Sequence, residues 1–173
     1  TSRDVRVSAS LLPPSIVEVG VNGNIEAVCN WLDAGGDIDL TCTLGTEPEV
    51  SGATLLMLSF EHVELVRELV QRKASLDLQD TLGQTALMYA VVASEPTTVQ
   101  ILVDAGARTD LCDNDGCCAL DLEGSSECMR ILEPVSMPRE AIMKRDVAAV
   151  RGWLERGGNV DITFCCRHPN GDM

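Results

Sequence analysis

A segment of eight residues recurs in this chain at a spacing of 33. DTLGQTAL begins at Asp80 and DNDGCCAL at Asp113, so Gly83 falls on Gly116, Ala86 on Ala119 and Leu87 on Leu120. A fixed period of this size is the mark of an array. Each unit is too small to bury an apolar face alone, and stacking on its neighbours makes one continuous core. A second pattern runs through the same units. Val28/Trp31/Leu32, Val66/Leu69/Val70, Val99/Leu102/Val103 and Val150/Trp153/Leu154 each place three apolar side chains at i, i+3 and i+4, one face of a helix. A glycine follows three of the four, Gly35, Gly106 and Gly157, where it ends a helix in the left-handed conformation at little cost. Lys73 holds that place in the second copy and is expected to be strained there.

After each stop comes a short extended piece, GGDIDL, KASLDL, GARTDL or GGNVDI, with Asp39, Asp77, Asp110 and Asp161 at its fifth position. The simplest role for these aspartates is turn formation. Thr85 is placed to cap the helix that follows it. The unit is therefore turn, helix, short turn, helix and extended tip.

This unit resembles the ankyrin repeat. The match is densest from Asp80 to Leu111, in DTLGQTALMYA and then VQILVDAGARTDL, with Ala86 and Met88 where the family has Pro and His. HVELV at 62–66 is similar to the family's second-helix start. The resemblance implies an all-α solenoid of stacked helix-turn-helix units with short β-hairpin or loop tips. The expected organisation is a tail over 1–14 and a repeat block over 15–133. The block divides into about 15–51, 52–79, 80–112 and a partial, capping copy at 113–133. Residues 40–51 form a longer hairpin tip or loop, and the inner helix or the turn after it is trimmed in the copy from Gly52. Pro134 and Pro138 bound a linker at 134–138. VRGWLERGGNVDIT at 150–163 then repeats VCNWLDAGGDIDLT at 28–41, so 139–173 reads as the truncated start of a second block in a longer repeat protein.

Charge narrows the partners. Lys plus Arg is 13 and Asp plus Glu 27, a net charge of −14, which argues against nucleic acid and anionic membrane. Between Val7 and Val66 there are nine acids and no Lys or Arg, a face suited to a basic partner. The uncharged stretch 81–94 is too short to span a bilayer. Aromatics are 3% of the chain, so its core must be aliphatic.

Catalytic signatures are missing: there is no G-x-S-x-G elbow, P-loop, H-E-x-x-H or EF-hand pattern. The expectation is a chain without enzyme activity or cofactor. His62, at the start of a second helix, reads as a local hydrogen-bonding residue. The eight cysteines follow no disulfide scaffold. Cys29 and Cys128 fall on second helices as small apolar residues, and reduced thiols suit an intracellular, cytoplasmic setting, with the nucleus left open. Cys112, Cys117 and Cys118 crowd one turn, and Cys165, Cys166 and His168 another, but the spacings fit zinc poorly and no metal is expected.

The resemblance implies protein–protein recognition by a monomer, through hairpin tips and the exposed side of the first helices. Carried over by position, the tip residues are Gln79, Thr81 and Leu82, with Gln84 beside them. Val92 and Ala93 lie at the end of the inner helix, and Cys112, Asn114, Asp115 and Cys117 form the next tip. The family's tip Asn, which can be hydroxylated, is Asp in every copy here. Two other functions compatible with the sequence are a passive spacer or targeting arm of a larger multidomain enzyme or signalling protein, and a zinc- or thiol-regulated module.

Overall fold

The computed structural model describes residues 11–45, 50–132 and 146–155. In chain order the elements are α1 (Pro14–Val21), α2 (Ile25–Asp33), β1 (Thr41–Leu44), β2 (Val50–Thr54), α3 (Leu55–Leu58), α4 (Val63–Gln71), α5 (Ala86–Val92) and α6 (Pro96–Asp104). A 3₁₀ turn follows at Ala119–Asp121, then α7 (Ser126–Leu132) and α8 (Val147–Glu155). Residues 134–138 and 156–173, with the expected linker and Gly157, Asp161, Cys165, Cys166 and His168, lie outside the described residues. So do residues 46–49, between β1 and β2 in the chain.

Helix ends follow from local chemistry. The Asn24 side chain accepts the Ala27 N–H at 3.1 Å. Thr54 and Thr85 hydroxyls accept the N–H groups of Met57 and Met88, each at 3.3 Å, as capping requires. Pro14 and Pro96 open α1 and α6, where the missing N–H costs nothing. Gly35 and Gly106 leave the second helices at φ +94° and +92°, and Lys73 takes the same turn at +68°. Ser94 adopts +60° after α5, at the place where Gly23 follows α1.

These helices pack in two rows. The first helices α1, α3 and α5 and the 3₁₀ turn stack in sequence, as do the second helices α2, α4, α6 and α7. Leu55, Leu65, Leu69, Leu87, Leu102 and Leu132 are fully buried between them, with Val28, Val66, Val91 and Val99. Burial of such a side chain is worth about 1.5–3 kcal/mol. α3 has four residues, the trimmed inner helix expected from the short copy. The inner helix of the copy from Asp113 is reduced further, to the single 3₁₀ turn. Residues of the expected tail pack against the repeats: Leu12 is buried, and its N–H donates to Thr41 O at 2.8 Å.

Several residues have wider reach than the sequence suggested. The His62 side chain bonds beyond its own repeat: its Nε2 lies 2.7 Å from the carbonyl of Val21, in the preceding repeat. A Cβ at Gly23 would strike the His62 ring, so this contact needs glycine. The tip aspartates also do more than form turns. Asp39 accepts hydrogen bonds from the backbone and hydroxyl of Ser75, and Asp77 accepts the N–H of Arg108 at 2.8 Å. Arg72 adds a link between second helices, donating to Asp33 and to Glu68 at 2.6 Å each.

Candidate recognition surface

The second and third tips are each built around an aspartate at the base. Asp80 is buried, and its Oδ1 accepts the N–H groups of Leu82 at 2.8 Å and Gln84 at 2.9 Å. Its Oδ2 accepts the Tyr89 hydroxyl at 2.7 Å, which ties the tip to α5. Asp113 repeats the turn 33 residues on, accepting from Asp115 N at 3.0 Å and Cys117 N at 2.8 Å. Burial pushes the Tyr89 phenol well above its ordinary pKa, and the adjacent Asp80 carboxylate pushes it further. The Tyr89 ring stacks on Phe60 of the preceding repeat, with centroids 6.3 Å apart.

Neighbouring tips are then joined edge to edge. Thr81 N donates to Ser51 O at 2.8 Å, and Ser51 N donates to Thr81 Oγ1 at 2.9 Å. On the other side Asn114 N donates to Leu82 O at 2.9 Å and Asn114 Nδ2 to Thr81 O at 2.8 Å. Gln79 Nε2 bridges Gly83 O at 2.6 Å and Cys112 O at 2.9 Å. Gly83, at φ +78°, lies against Asn114 and Asp113, so closely that a Cβ would sit 2.9 Å from their backbone. The long hairpin is an antiparallel pair with Thr41 opposite Thr54 and Leu44 opposite Val50, its register shifting between Cys42 and Thr43. Three consecutive tips thus form one hydrogen-bonded ribbon.

Of the residues chosen from sequence, Gln79, Thr81, Leu82, Cys112 and Asn114 are brought together, but as the bonds that hold the ribbon. Gln84 and Cys117 are half-buried beside them, with their backbones engaged by Asp80 and Asp113. Asp115 is exposed at the third tip. Val92 is 56% exposed at the end of α5, and Ala93 is half-buried next to it. Ser51, Asp80 and Tyr89 were missed. The 33-residue register points to Asp80 through Asp113, whereas nothing local in the sequence shows that Ser51 faces Thr81. Val21, also exposed, holds in α1 the place of Val92 in α5, but the two do not fall on the 33-residue period. Among the described residues no three His, Cys, Asp or Glu side chains converge to hold a metal ion. No helix among them is long and apolar enough to cross a membrane.

Comparison with known proteins places this architecture. A family model described as ankyrin repeats, in three copies, matches residues 16–115, more than half of the chain. Ankyrin repeat domain-containing protein SAT10 of Stachybotrys chartarum is 35% identical over 95 residues, which cover 53% of this chain and 5% of the relative. Ankyrin repeat and SAM domain-containing protein 6 of Mus musculus is 37% identical over 94 residues, covering 50% of this chain and 11% of the relative. A probable monoacyl phosphatidylinositol tetramannoside-binding protein, LpqW of Mycobacterium tuberculosis, is 24% identical over 156 residues, covering 90% of this chain and 21% of the relative. The chain therefore spans a small part of the length of each curated relative.

Proposed function

The chain belongs to the ankyrin-repeat family, whose repeats are generally protein–protein interaction modules, and we propose on that premise that it recognises a protein partner along its ribbon of tips and the exposed ends of its first helices. The observation that carries this reading is the ribbon. Bonds from Ser51 through Thr81 to Asn114 fix three tips in one register, so side chains such as Asp115 are presented on a pre-formed edge. A rigid edge loses little conformational freedom on binding. The partner is a protein with a basic surface, in keeping with nine acids and no Lys or Arg between Val7 and Val66. The setting proposed is intracellular, supported by the thiols of the six cysteines among the described residues.

Site-specific photo-crosslinking tests this. A photoreactive residue at Asp115 or Val92 should trap the same partner protein. One at Gln71, exposed at the end of the second helix α4, should not. Trapping from Val92, which leaves the Asp115 carboxylate in place, should weaken with added salt, which screens exposed charge pairs. Equal trapping from Gln71 would overturn the assignment of the face.

A further inference from the structure

We propose that Cys112 and Cys118 are a redox pair that closes into a cross-strand disulfide on exposure to a thiol–disulfide oxidant such as glutathione disulfide. The two residues face each other in an antiparallel bridge. Asp113 N donates to Cys117 O at 2.9 Å, just inside them, so Cys112 and Cys118 are the non-hydrogen-bonded pair of the turn. Such pairs hold their Cα atoms about 4.5 Å apart, inside the range of about 4.4–6.8 Å that disulfides span. Directly opposed residues also project to the same side, whereas Cys117, one residue before Cys118, projects to the other. Cys29, Cys42 and Cys128 lie on three separate elements, α2, β1 and α7. Burial also pushes the Cys42 thiol up, away from reactivity.

The surroundings divide the two roles. Cys112 is half-buried and its thiol makes a long contact, 3.6 Å, with Asp110 O. Cys118 is buried, and its thiol donates to Asp121 Oδ2 at 3.1 Å. Cys112, as the more accessible thiol, loses its proton to solvent and attacks one sulfur of glutathione disulfide. The glutathione S–S bond breaks, one glutathione thiolate leaves, and a mixed disulfide remains on Cys112. Cys118 passes its proton to the Asp121 carboxylate and attacks the Cys112 sulfur, and the second glutathione thiolate leaves. Two protein thiols are oxidised and one glutathione disulfide is reduced to two thiols. The buried Cys118 never has to meet the oxidant. Because Cys112 O is bonded by Gln79, the new bond stiffens the junction between the second and third tips.

The test uses the full chain in glutathione buffers of rising oxidised fraction, quenched by alkylation. A protease that cuts before aspartate separates Cys112 from Cys117 and Cys118, at Asp113 and Asp115. The expected product is a Cys112 peptide linked to the peptide carrying Cys117 and Cys118. It should form in the wild type and in Cys117→Ser, with two alkylatable thiols lost in the latter, and be missing in Cys112→Ser. If Cys118→Ala does not fold, the linked peptide from Cys117→Ser still decides the pairing. A Cys117–Cys118 link, a Cys112 link between chains, a lasting glutathione adduct on Cys112, or full alkylation of Cys112 and Cys118 overturns the proposal.

Discussion

Asp39 holds the repeat that follows its own: its Oδ1 accepts the Ser75 N–H at 2.8 Å and its Oδ2 the Ser75 hydroxyl at 2.5 Å. Asp77 does the same one repeat later for the N–H of Arg108. An array is stable only if its units couple, and these bonds couple them outside the apolar core. Asp39→Ala should therefore cost about 1–2 kcal/mol in a urea unfolding experiment, since it abandons two donors. Asp39→Asn should cost less, because the amide oxygen still accepts from Ser75 N. Equal losses in the two variants would show that the bonds contribute little.

Lys73 predicts the opposite sign. It ends α4 at φ +68°, where a side chain with a Cβ is strained by about 1–2 kcal/mol. Lys73→Gly removes that strain and returns part of it as unfolded-state entropy. A net gain of about 0.5–1 kcal/mol is expected, read as a higher denaturant midpoint at unchanged slope. Ser94→Gly, at φ +60°, should behave alike.

What the sequence revealed is the part of the fold that local spacing controls. The triads Val66/Leu69/Val70 and Val99/Leu102/Val103 mark helix faces, and the glycine or Lys73 after them marks the ends. Contacts between repeats are a matter of distance through space. His62 and Val21 are 41 residues apart, and Arg72 and Asp33 are 39 apart, so no periodic pattern names them as partners. The tips were legible by position for the same reason that their bonding was not. Register says that Thr81 and Asn114 occupy equivalent places, but only the stacking of one tip on the next shows that they bond to each other.

Gly83 tests how tightly those tips are stacked. Its φ of +78° disfavours any side chain, and a Cβ would press on the Asp113 and Asn114 backbone at 2.9 Å. Gly83→Ala should cost about 2–3 kcal/mol, more than the strain of the dihedral alone, because the third tip must also move. Hydrogen exchange at the Asn114 amide, which bonds Leu82 O, should accelerate more than that at Ala74, whose N–H is bonded to Leu69 O at the end of α4.

Tyr89 gives a pH dependence with a fixed sign. Burial first, and then Asp80, raise its phenol above the ordinary value of 10.0. The folded state thus keeps its proton where the unfolded chain has lost it. The resulting stability is complete below pH 10 and is lost as pH rises from there toward the folded value. Tyr89→Phe should abolish this alkaline slope and cost about 1–2 kcal/mol at neutral pH, from the lost bond to Asp80. Tyr89 is the single tyrosine in the chain, so phenolate absorbance reports it alone. The band should stay weak in native protein at pH 10 and rise to about half its full height on unfolding, since the free phenol titrates at 10.0.

Stability and recognition separate at Gln79 and Gln84. Gln79 spends its amide on Gly83 O and Cys112 O, so Gln79→Ala should lower stability by about 1 kcal/mol and loosen the junction between tips. Gln84 is held through its backbone by Asp80, which leaves its side chain outside the bonds that fix the tip. Gln84→Ala should leave stability within about 0.5 kcal/mol of wild type. Asp115→Ala differs, because it shortens a side chain on the exposed edge of the third tip and removes one of its charges. If the ribbon is the recognition edge, Gln84→Ala and Asp115→Ala should weaken capture of the crosslinked partner, Asp115→Ala the more so at low salt. Gln79→Ala should weaken it only as far as the tip is loosened, and a Cys112–Cys118 disulfide should restore part of that loss by bracing the same junction. A Gln79→Ala protein that binds normally while its tip exchanges faster would show that recognition lies on the helix ends at Val92 rather than on the tips.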